Sequence, residues 1–486
     1  MSQRWLVALF CGCVLYLTLY YQLGNLAFIG PDEPRYARIS EEMNLRESYV
    51  TPTLDFRPWL EKPPLLFWLE AASFKLFGVD EWSARLPIAT LAMITILAVS
   101  AFMLNLRGIQ SAIVTLLVLS TSGMFFSFGR AASTDMPLVA MLTLAMLSGF
   151  KSSCDGSKWW ATLTGISLGL AILAKGPVAL VLFVGIFLMY FLLTQAQVWT
   201  RSQILVMSLL CLTVAAPWFW RVWQENGYYF ITSFWINHHL ARFVTDIHHH
   251  SQPLWYYPIV VMVGFFPWTP FLGSALARLW HHRSSLFNQG GNLELFLWLW
   301  IAVPLLFFSL GESKLPGYIL PVIPPLSIVV AAEWCRWFNG DAIVHRSMRN
   351  QLIALTTIGL VVGSALIWIF SFEYQAPGIG ILLFLPIVGA IVCACLEYQR
   401  RRPLRIFLSL VAGMSLFAAF IFWKASPVVN NYHSARNICH LISPKLSHGK
   451  PLIFYRYFHH TARYYTSYQT TQESIETPVA LQSYLL

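Results

Sequence analysis

The sequence predicts an all-α polytopic membrane protein with about 13 transmembrane helices, juxtamembrane helices on its outer face and a small α/β tail at its carboxyl end. Three observations lead to this fold class. The chain of 486 residues is 57% hydrophobic and only 11% charged. Its mean hydropathy of +0.59 excludes an ordinary soluble domain. Long apolar runs recur along it, and each approaches the roughly 20 residues that cross the hydrocarbon core as a helix.

The apolar runs define the predicted spans. We place them at residues 5–23, 84–104, 110–128, 133–150, 159–174, 177–196, 203–221, 254–277, 293–310, 316–335, 351–371, 378–397 and 404–424. Lys175-Gly176-Pro177 interrupts the run from 159 to 196 and predicts two helices joined by a tight turn. The first span has no small-residue cleavage site before Gly30, so we expect a retained anchor rather than a signal peptide.

Basic residues are unequally divided between the two sets of alternating loops. Short loops on one side hold little beyond Arg130, Lys175 and Lys314. The other loops hold Arg4, Arg107, Lys151, Lys158, Arg201, Arg278, Arg283, Arg336, Arg346, Arg349, Arg400, Arg401, Arg402 and Arg405. Because cytoplasmic loops carry the excess of Lys and Arg, we expect a cytoplasmic amino terminus and a periplasmic carboxyl terminus. The net charge of +10 follows from this bias and does not indicate nucleic-acid binding.

Two polar segments lie outside the spans. The first is an outer loop over residues 24–83, within a membrane domain that we place at residues 1–426. The second is a tail over residues 427–486, in which we predict a helix from Asn431 to Leu446 and a strand from Pro451 to Tyr457. A tail of about 60 residues is close to the lower limit for an independent core, so we expect it to lean on the membrane domain.

The first outer loop is predicted to form two helices along the membrane surface. Residues 32–45 place Tyr36, Ile39 and Met43 on one apolar stripe, with Arg35, Arg38 and Glu42 away from it. Residues 63–77 open with two prolines, which suit a first helical turn. The predicted apolar face of this second helix consists of Leu65, Trp68, Leu69, Ala72 and Leu76. Together the two helices are expected to shape a groove that a lipid headgroup enters.

Charged and polar motifs from six separate segments reach the same outer surface in this topology. They are Asp32-Glu33-Pro34-Arg35-Tyr36, Glu61-Lys62, residues 129–135, Lys175-Gly176-Pro177, residues 237–243 and Lys314-Leu315-Pro316-Gly317-Tyr318. Charges beside a bilayer are costly unless they are paired, solvated or used. Their convergence from so many segments therefore indicates a functional site more strongly than any single motif does.

Most of these residues also have a purely structural interpretation. Asp32 and Asp135 each suit a helix N-cap, whose side chain accepts backbone N–H groups. Lys62 and Lys175 suit interfacial lysines whose ammonium groups reach toward water. Glu61 beside Lys62 suits a surface ion pair, which contributes little to the stability of the fold.

The remaining polar residues are less distinctive. Interfacial tyrosines such as Tyr318 are common in membrane proteins. The run of histidines at 248–250 resembles a metal cluster, but adjacent loop residues seldom converge on one ion, so we interpret it as a solvated run. His238 or His239 with Glu61 makes a better metal pair, yet two ligands alone do not define a site.

Such a set suits group transfer from a phosphate-linked donor. The leaving phosphate gains negative charge as its bond breaks, and lysine or arginine placed there stabilises the transition state more than the ground state. A tyrosine hydroxyl adds a hydrogen bond. A carboxylate beside the acceptor acts as a base or orients it, and also stabilises positive charge at a sugar carbon.

At these motifs the chain resembles the GT-C glycosyltransferases, in the branch that holds protein O-mannosyltransferases and the bacterial lipid A 4-amino-4-deoxy-L-arabinose transferases. The resemblance covers residues 1–330, with a compatible hydrophobic layout up to 424. Two pieces, Glu61-Lys62-Pro63-Pro64 and residues 314–321, favour the aminoarabinose transferases. The other matching pieces are Asp32-Glu33-Pro34-Arg35-Tyr36-Ala37, Phe56-Arg57-Pro58-Trp59-Leu60, Ser83-Ala84-Arg85-Leu86-Pro87, Thr134-Asp135, Lys175-Gly176, Phe234-Trp235-Ile236-Asn237-His238 and Pro253-Leu254-Trp255-Tyr256-Tyr257.

The resemblance implies a GT-C enzyme that takes a sugar from undecaprenyl phosphate, or another polyprenyl phosphate, on the periplasmic side of the bacterial inner membrane. It implies catalytic roles for Asp32 and Asp135, and a divalent metal such as zinc at Glu61 and His238. The donor phosphate would contact Arg35, Lys62, Lys175, Arg242 and Tyr318.

Several departures from the family pattern concern the sugar and the acceptor. Pro34 replaces a small residue, Trp59 stands where the aminoarabinose transferases tend to have tyrosine, and the tail is shorter than theirs. We expect a lipid acceptor, lipid A, with a protein acceptor as the alternative. A secondary transporter and a noncatalytic lipid-binding or assembly protein are the other candidates. The absence of a convincing internal repeat and the position of the acids at span ends argue against a transporter.

Overall fold

The computed structural model describes residues 3–195, 198–241, 252–282, 292–446, 452–455, 460–466 and 477, except for the side chains of 3, 239–241, 282, 342–346 and 443–446. These residues are mostly helical, which confirms the predicted fold class. The first half contains α1 Gln3–Leu15, α2 Asp32–Leu45, α3 Leu65–Phe77, α4 Glu81–Ser120, α5 Gly123–Phe128, α6 Asp135–Asp155, α7 Lys158–Lys175, α8 Val178–Thr194 and α9 Arg201–Phe230. Between α2 and α3, β1 Thr53–Leu54 pairs antiparallel with β2 Arg57–Pro58.

The second half of the described chain continues in the same way. Its helices are α10 Tyr256–Gly264, α11 Leu272–His282, α12 Leu293–Leu310, α13 Ile323–Phe338, α14 Ala342–Phe372, α15 Pro377–Gln399, α16 Pro403–Phe420, α17 Ser426–His433, α18 Arg436–Leu446 and α19 His460–Tyr465. Short π-helical or 3₁₀ segments extend several of them, at Tyr16–Tyr20, Ile231–Ala241, Thr269–Phe271, Pro316–Val322 and Ile421–Ala425.

Each predicted span coincides with helical structure, and the protein is a multi-span membrane protein. Within the described residues, eight helices are long and apolar enough to cross a membrane. Tyr256–Gly264 and Thr269–His281 meet at an angle of 111° and make a ninth span if they are counted together. Two apolar helices, Arg4–Tyr20 and Val178–Thr194, are shorter. The predicted number of about 13 spans stays a prediction.

Two glycines reverse the chain between neighbouring helices. At Gly108, inside α4, φ is 81° and ψ is −178°, a conformation that glycine adopts readily. Ser100 Oγ donates to Ala112 O at 2.9 Å, although twelve residues of straight helix would separate them by about 18 Å. The two arms of α4 therefore lie side by side, in agreement with the predicted spans 84–104 and 110–128. Gly176, with φ of 81°, ends α7 before Pro177 and forms the predicted tight turn.

The two predicted surface helices are present as α2 and α3. Helix α2 has the predicted bounds and buries Tyr36, Ile39 and Met43 as expected. Glu42 was predicted to lie away from this stripe, and that prediction is wrong because the side chain is fully buried. Its carboxylate accepts hydrogen bonds from Arg38 Nε at 2.8 Å and Thr53 Oγ1 at 2.7 Å. The backbone N–H groups of residues 55 and 56 also donate to it, so Glu42 holds the β1–β2 turn.

The buried face of α3 is offset from the predicted apolar face. Leu66, Phe67, Glu70, Ala71 and Phe74 are buried, whereas Leu76 is 75% exposed and Ala72 is exposed. The reason is that α3 is apolar almost all round, and its contacts with α2, α4 and α7 decide which side is buried. Its other apolar side suits contact with lipid.

The tail leans on the first outer loop, as its small size predicts. Arg463 Nη2 lies 2.7 Å from Asp55 Oδ1, and Tyr465 OH donates to Glu81 Oε1 at 2.6 Å. The same hydroxyl accepts the backbone N–H of Phe28 at 2.9 Å. Of the strand predicted over 451–457, only residues 452–455 are described, and they contain isolated bridge residues rather than a strand.

A buried carboxyl group lies between α2 and α3. Glu70 is fully buried, and burial raises its pKa from 4.5 to about 8. Ser40 Oγ lies 2.6 Å from Glu70 Oε2 and 2.8 Å from Tyr36 O. Because a serine hydroxyl has one proton, a neutral Glu70 that donates to Ser40 satisfies both contacts.

Glu70→Gln is therefore expected to remove a pH dependence of stability. In the wild type, the unfolded carboxyl ionises near 4.5 and the folded one near 8, so the free energy of unfolding falls between these values and levels off above them. The slope is about 1.4 kcal/mol per pH unit. Thermal unfolding in detergent from pH 4.5 to 9 should show the variant gaining stability over the wild type as pH rises. The exposed Glu47→Gln is the control; parallel profiles for Glu70→Gln and the wild type would contradict a neutral Glu70.

Candidate active site

A buried ion pair joins the three segments that carry the site. Arg85 Nε and Nη2 lie 2.9 and 2.7 Å from the two carboxylate oxygens of Glu33. Glu33 also accepts the backbone N–H of Ala132 at 2.9 Å. Arg85 further donates to the carbonyls of Leu23 at 3.3 Å and Ala27 at 3.2 Å. The start of α2, the start of α4 and the loop before α6 are thereby fixed to one another.

Asp32 begins α2 and is half-exposed. Its carboxylate contacts the Arg35 guanidinium, and Arg35 Nε donates to Pro31 O at 3.0 Å. The N-cap of α2 is Pro31, which makes no side-chain cap hydrogen bond. The interpretation of Asp32 as a helix cap is therefore wrong, and its carboxylate is left accessible beside a cation.

Asp135 begins α6 in a similar way but is mostly buried. The Lys175 ammonium contacts its Oδ1, and Ser133 Oγ lies 3.3 Å from its Oδ2. Thr134 is the N-cap and makes no side-chain cap hydrogen bond. The cap interpretation of Asp135 and the interfacial interpretation of Lys175 are both wrong, since the two side chains pair in a site where they are 17% and 12% exposed.

The segment before α13 closes around this pair. The Lys175 ammonium lies 4.7 Å from the centre of the Tyr318 ring. A Cβ atom on Gly317 would lie 2.7 Å from the Asp135 carboxylate carbon, so only glycine allows the backbone to approach so closely. Sequence reasoning named Gly317 only as part of the motif from Lys314 to Tyr318 and gave it no role. Lys314, in the same motif, is buried and donates to Gln252 O at 2.8 Å, which is a structural role.

Tyr36 lies where these segments meet. Burial raises the pKa of its hydroxyl, and the negative charges of Asp32, Asp135 and Glu61 raise it further, while Arg35 lowers it. Its ring packs against Trp59 and Phe67, with centroids 6.0 and 5.7 Å away. Three carboxylates from three segments therefore lie near enough to this phenol to disfavour its ionisation. The structure brings Asp32, Asp135 and Glu61 together, and their roles stay predictions.

The predicted metal pair is close in space. His238 Nδ1 lies 3.8 Å from Glu61 Oε2. Zinc–nitrogen and zinc–oxygen distances are about 2.0–2.2 Å, so one ion between the two atoms fits this separation. Within the described residues, no group of three or more His, Cys, Asp or Glu side chains is placed to hold a metal. Lys62 is half-buried beside Glu61, whereas Arg242 and residues 248–250 lie outside the described residues.

Glu33 and Arg85 position the site, and sequence reasoning singled them out only as parts of motifs. The signal was the presence of a charged residue in each motif, Asp32-Glu33-Pro34 and Ala84-Arg85-Leu86. Nothing in their spacing indicates that they pair, since 52 residues separate them.

Comparisons with known proteins agree with this arrangement. The family model of dolichyl-phosphate-mannose-protein mannosyltransferases matches residues 61–221. An undecaprenyl phosphate-alpha-4-amino-4-deoxy-L-arabinose arabinosyl transferase of Pectobacterium carotovorum is 30% identical over 85% of this chain and 75% of its own length. Its namesake in Pectobacterium atrosepticum is 31% identical with the same coverage. The crystal structure of ArnT from Cupriavidus metallidurans bound to undecaprenyl phosphate superposes with a TM-score of 0.81 at 25% identity, over 99% of this chain and 88% of that one.

Gly317→Ala tests the close approach of the backbone to Asp135. The added methyl group must displace the carboxylate, so we expect a loss of about 1–3 kcal/mol in the free energy of unfolding. Asp135→Ala removes the atoms that the methyl group meets. The double variant should therefore be more stable than the sum of the two single effects predicts, by at least about 0.5 kcal/mol. Gly273→Ala, with nothing near its added Cβ, is the control; strict additivity would contradict the contact.

Proposed function

This chain belongs to the family of undecaprenyl phosphate-4-amino-4-deoxy-L-arabinose arabinosyl transferases, and we propose that it transfers 4-amino-4-deoxy-L-arabinose, or a related monosaccharide, from undecaprenyl phosphate to lipid A. We place the reaction on the periplasmic side of the bacterial inner membrane, with the amino terminus in the cytoplasm. The observation that carries the proposal is the pairing of two aspartates with cations near Tyr36, at the starts of the surface helix α2 and the apolar helix α6.

The predicted phosphate-binding cations support a phosphate-linked donor. Arg35 contacts Asp32 and Lys175 contacts Asp135, so each predicted catalytic carboxylate already has a cation beside it. A donor phosphate is a stronger acceptor of charge-assisted hydrogen bonds and competes for the same cations. Donor binding would then draw Arg35 and Lys175 toward the phosphate and leave the carboxylates available to the acceptor and the sugar.

The transfer itself exchanges one bond at the anomeric carbon. An acceptor oxygen forms a bond to the anomeric carbon. At the same time, the bond between the anomeric carbon and the donor phosphate oxygen breaks. The acceptor proton passes to a carboxylate, for which Asp32 is the candidate because it is accessible. The undecaprenyl phosphate leaves with the electron pair of the broken bond. Its added negative charge is stabilised by Lys62, Lys175 and Tyr318, while the released Asp135 carboxylate stabilises positive charge at the sugar carbon.

We also propose that Glu61 and His238 bind a divalent metal ion, which the transfer step described above does not require. When bound, the ion would supply a positive charge that fixes the segment around Lys62 relative to the segment after α9. Its presence predicts about one divalent ion per purified protein, lost in His238→Ala. Elemental analysis after gel filtration tests this; equal metal content in the wild type and the variant would contradict the site.

A protein acceptor is the second candidate. The match of residues 61–221 to the protein mannosyltransferase family favours it. Identifying the molecule that carries the transferred sugar decides between the two acceptors. A sugar found only on a protein would assign the function to protein O-glycosylation.

The proposed function is tested with purified enzyme, an undecaprenyl-phosphate aminoarabinose donor and lipid A, with products read by mass spectrometry. Asp32→Asn and Asp135→Asn should lower kcat with little change in donor KM, because they act on the chemical step. Lys62→Ala should raise donor KM roughly ten- to hundredfold, the effect of losing one charge-assisted hydrogen bond.

Asp155→Asn, at the far end of α6, and Lys158→Ala are matched controls with exposed side chains. Each rate is divided by the amount of folded protein. Near-normal specific activity in Asp32→Asn, Asp135→Asn and Lys62→Ala would remove this site from consideration. Solute exchange across liposomes without sugar transfer would favour a transporter.

A further inference from the structure

An open groove lies between α2 and α3, and its lining does not include the two aspartates. It is lined by Asn44, Tyr49, Trp68, Ala72 and Lys75, and its volume is about 330 Å³. That volume falls within the range of ligand-binding clefts, roughly 300–1,000 Å³. No step of the proposed reaction uses any of these residues. We call it the Lys75 groove.

The walls of the Lys75 groove are held in place by hydrogen bonds within the protein. Trp68 Nε1 donates to Tyr49 O at 2.8 Å, and Tyr49 OH donates to Asn44 Oδ1 at 3.1 Å. Asn44 Nδ2 donates to Ala71 O at 2.8 Å. Both aromatic side chains are therefore fixed before any ligand arrives, which lowers the entropy cost of binding.

The charge of the groove comes from Lys75. Its ammonium lies 5.0 Å from the centre of the Tyr49 ring and, within the described residues, forms no ion pair with a carboxylate. Asn44, Tyr49 and Trp68 each already donate a hydrogen bond within the protein, so the ammonium is the charged donor that the groove offers to a ligand. This chemistry selects an anion such as a phosphate group.

The surroundings indicate an amphiphile rather than a free ion. Leu45, Leu76 and Phe77 flank the groove residues and are 62%, 75% and 55% exposed. Exposed apolar residues beside a lysine and two aromatic rings are typical of the membrane–water interface. The anion therefore belongs to a molecule whose apolar part lies in the membrane.

The distance from the reaction centre separates this anion from the donor phosphate. Asn44 is twelve residues after Asp32 on α2, which places the two ends about 18 Å apart. One phosphate cannot reach both places. A molecule with a phosphate at each end of its headgroup can place one at the reaction centre and the other toward the groove.

We propose that the Lys75 groove binds the distal phosphate of the acceptor, at the end of its disaccharide headgroup opposite to the end that receives the sugar. This inference rests on the proposed function. Lys75 is then a specificity-determining residue: it favours acceptors with two phosphates over acceptors with one, and it orients the headgroup along α2.

The test compares bisphosphorylated with monophosphorylated lipid A as acceptors for the wild type, Lys75→Ala and Lys75→Arg. The wild type should have the lower KM for the bisphosphorylated acceptor, by about three- to tenfold. Lys75→Ala should lose this preference through the KM of the bisphosphorylated acceptor, while donor KM stays constant. Lys75→Arg keeps the charge and should restore part of the preference. Lys158→Ala, exposed at the start of α7, is the control and should keep it.

Three results would overturn the inference. The first is a Lys75→Ala variant that keeps the wild-type preference. The second is an equal rise in KM for both acceptors that disappears when anionic phospholipid is left out of the nanodisc, which would assign the groove to bulk phospholipid. The third is a wild type that transfers sugar to both acceptors without preference. A wild type that transfers to neither acceptor, with a donor shown to be intact, would instead refute the proposed function.

Discussion

The buried ion pair between Glu33 and Arg85 is the constraint on which the site depends. Removing two charges from water is expensive, and the cost is offset only when the geometry is good and the remaining polar atoms are satisfied. Here both conditions hold, because the contact is bidentate and backbone groups of Leu23, Ala27 and Ala132 complete the partners. Such a pair adds little net stability but fixes one arrangement of the segments that it joins.

The positions of the two aspartates follow from that arrangement. Asp32 precedes Glu33 directly, and Asp135 lies three residues after Ala132, whose N–H the Glu33 carboxylate accepts. The tail also contacts this outer loop, through Arg463 and Tyr465. A loop outside the membrane spans thus acquires the rigidity that a site needs to keep its charged groups in register.

Structural features that depend on residues close in sequence, such as helix bounds and turns, could be predicted. Features that depend on tertiary contacts, such as the burial of a charged side chain, could not. The bounds of α2 follow from its apolar stripe, and the turn at Gly176 follows from its glycine and the proline after it. Glu42 and Glu70 look like solvent-facing residues, because sequence does not reveal the partners that make their burial tolerable. Position 317 requires glycine only because Asp135, at the start of α6, lies against its backbone. The acids and cations of the site were found because charge is rare in this chain, but their pairing was not.

That pairing explains how so many charges persist beside a membrane. An isolated carboxylate in such a place would become protonated or destabilise the fold. The site contains three ion pairs: Asp32 with Arg35, Asp135 with Lys175 and Glu33 with Arg85. The pair of Glu33 and Arg85 is closed, meaning that it is buried from solvent. The other two pairs are partly exposed. The closed pair is structural because no ligand reaches it. In the other two pairs, a phosphate can replace the carboxylate as partner of the cation, so the protein can keep its site charged without leaving any charge alone. Under the proposed function, the same exchange would couple the arrival of the anionic donor to the release of the carboxylates.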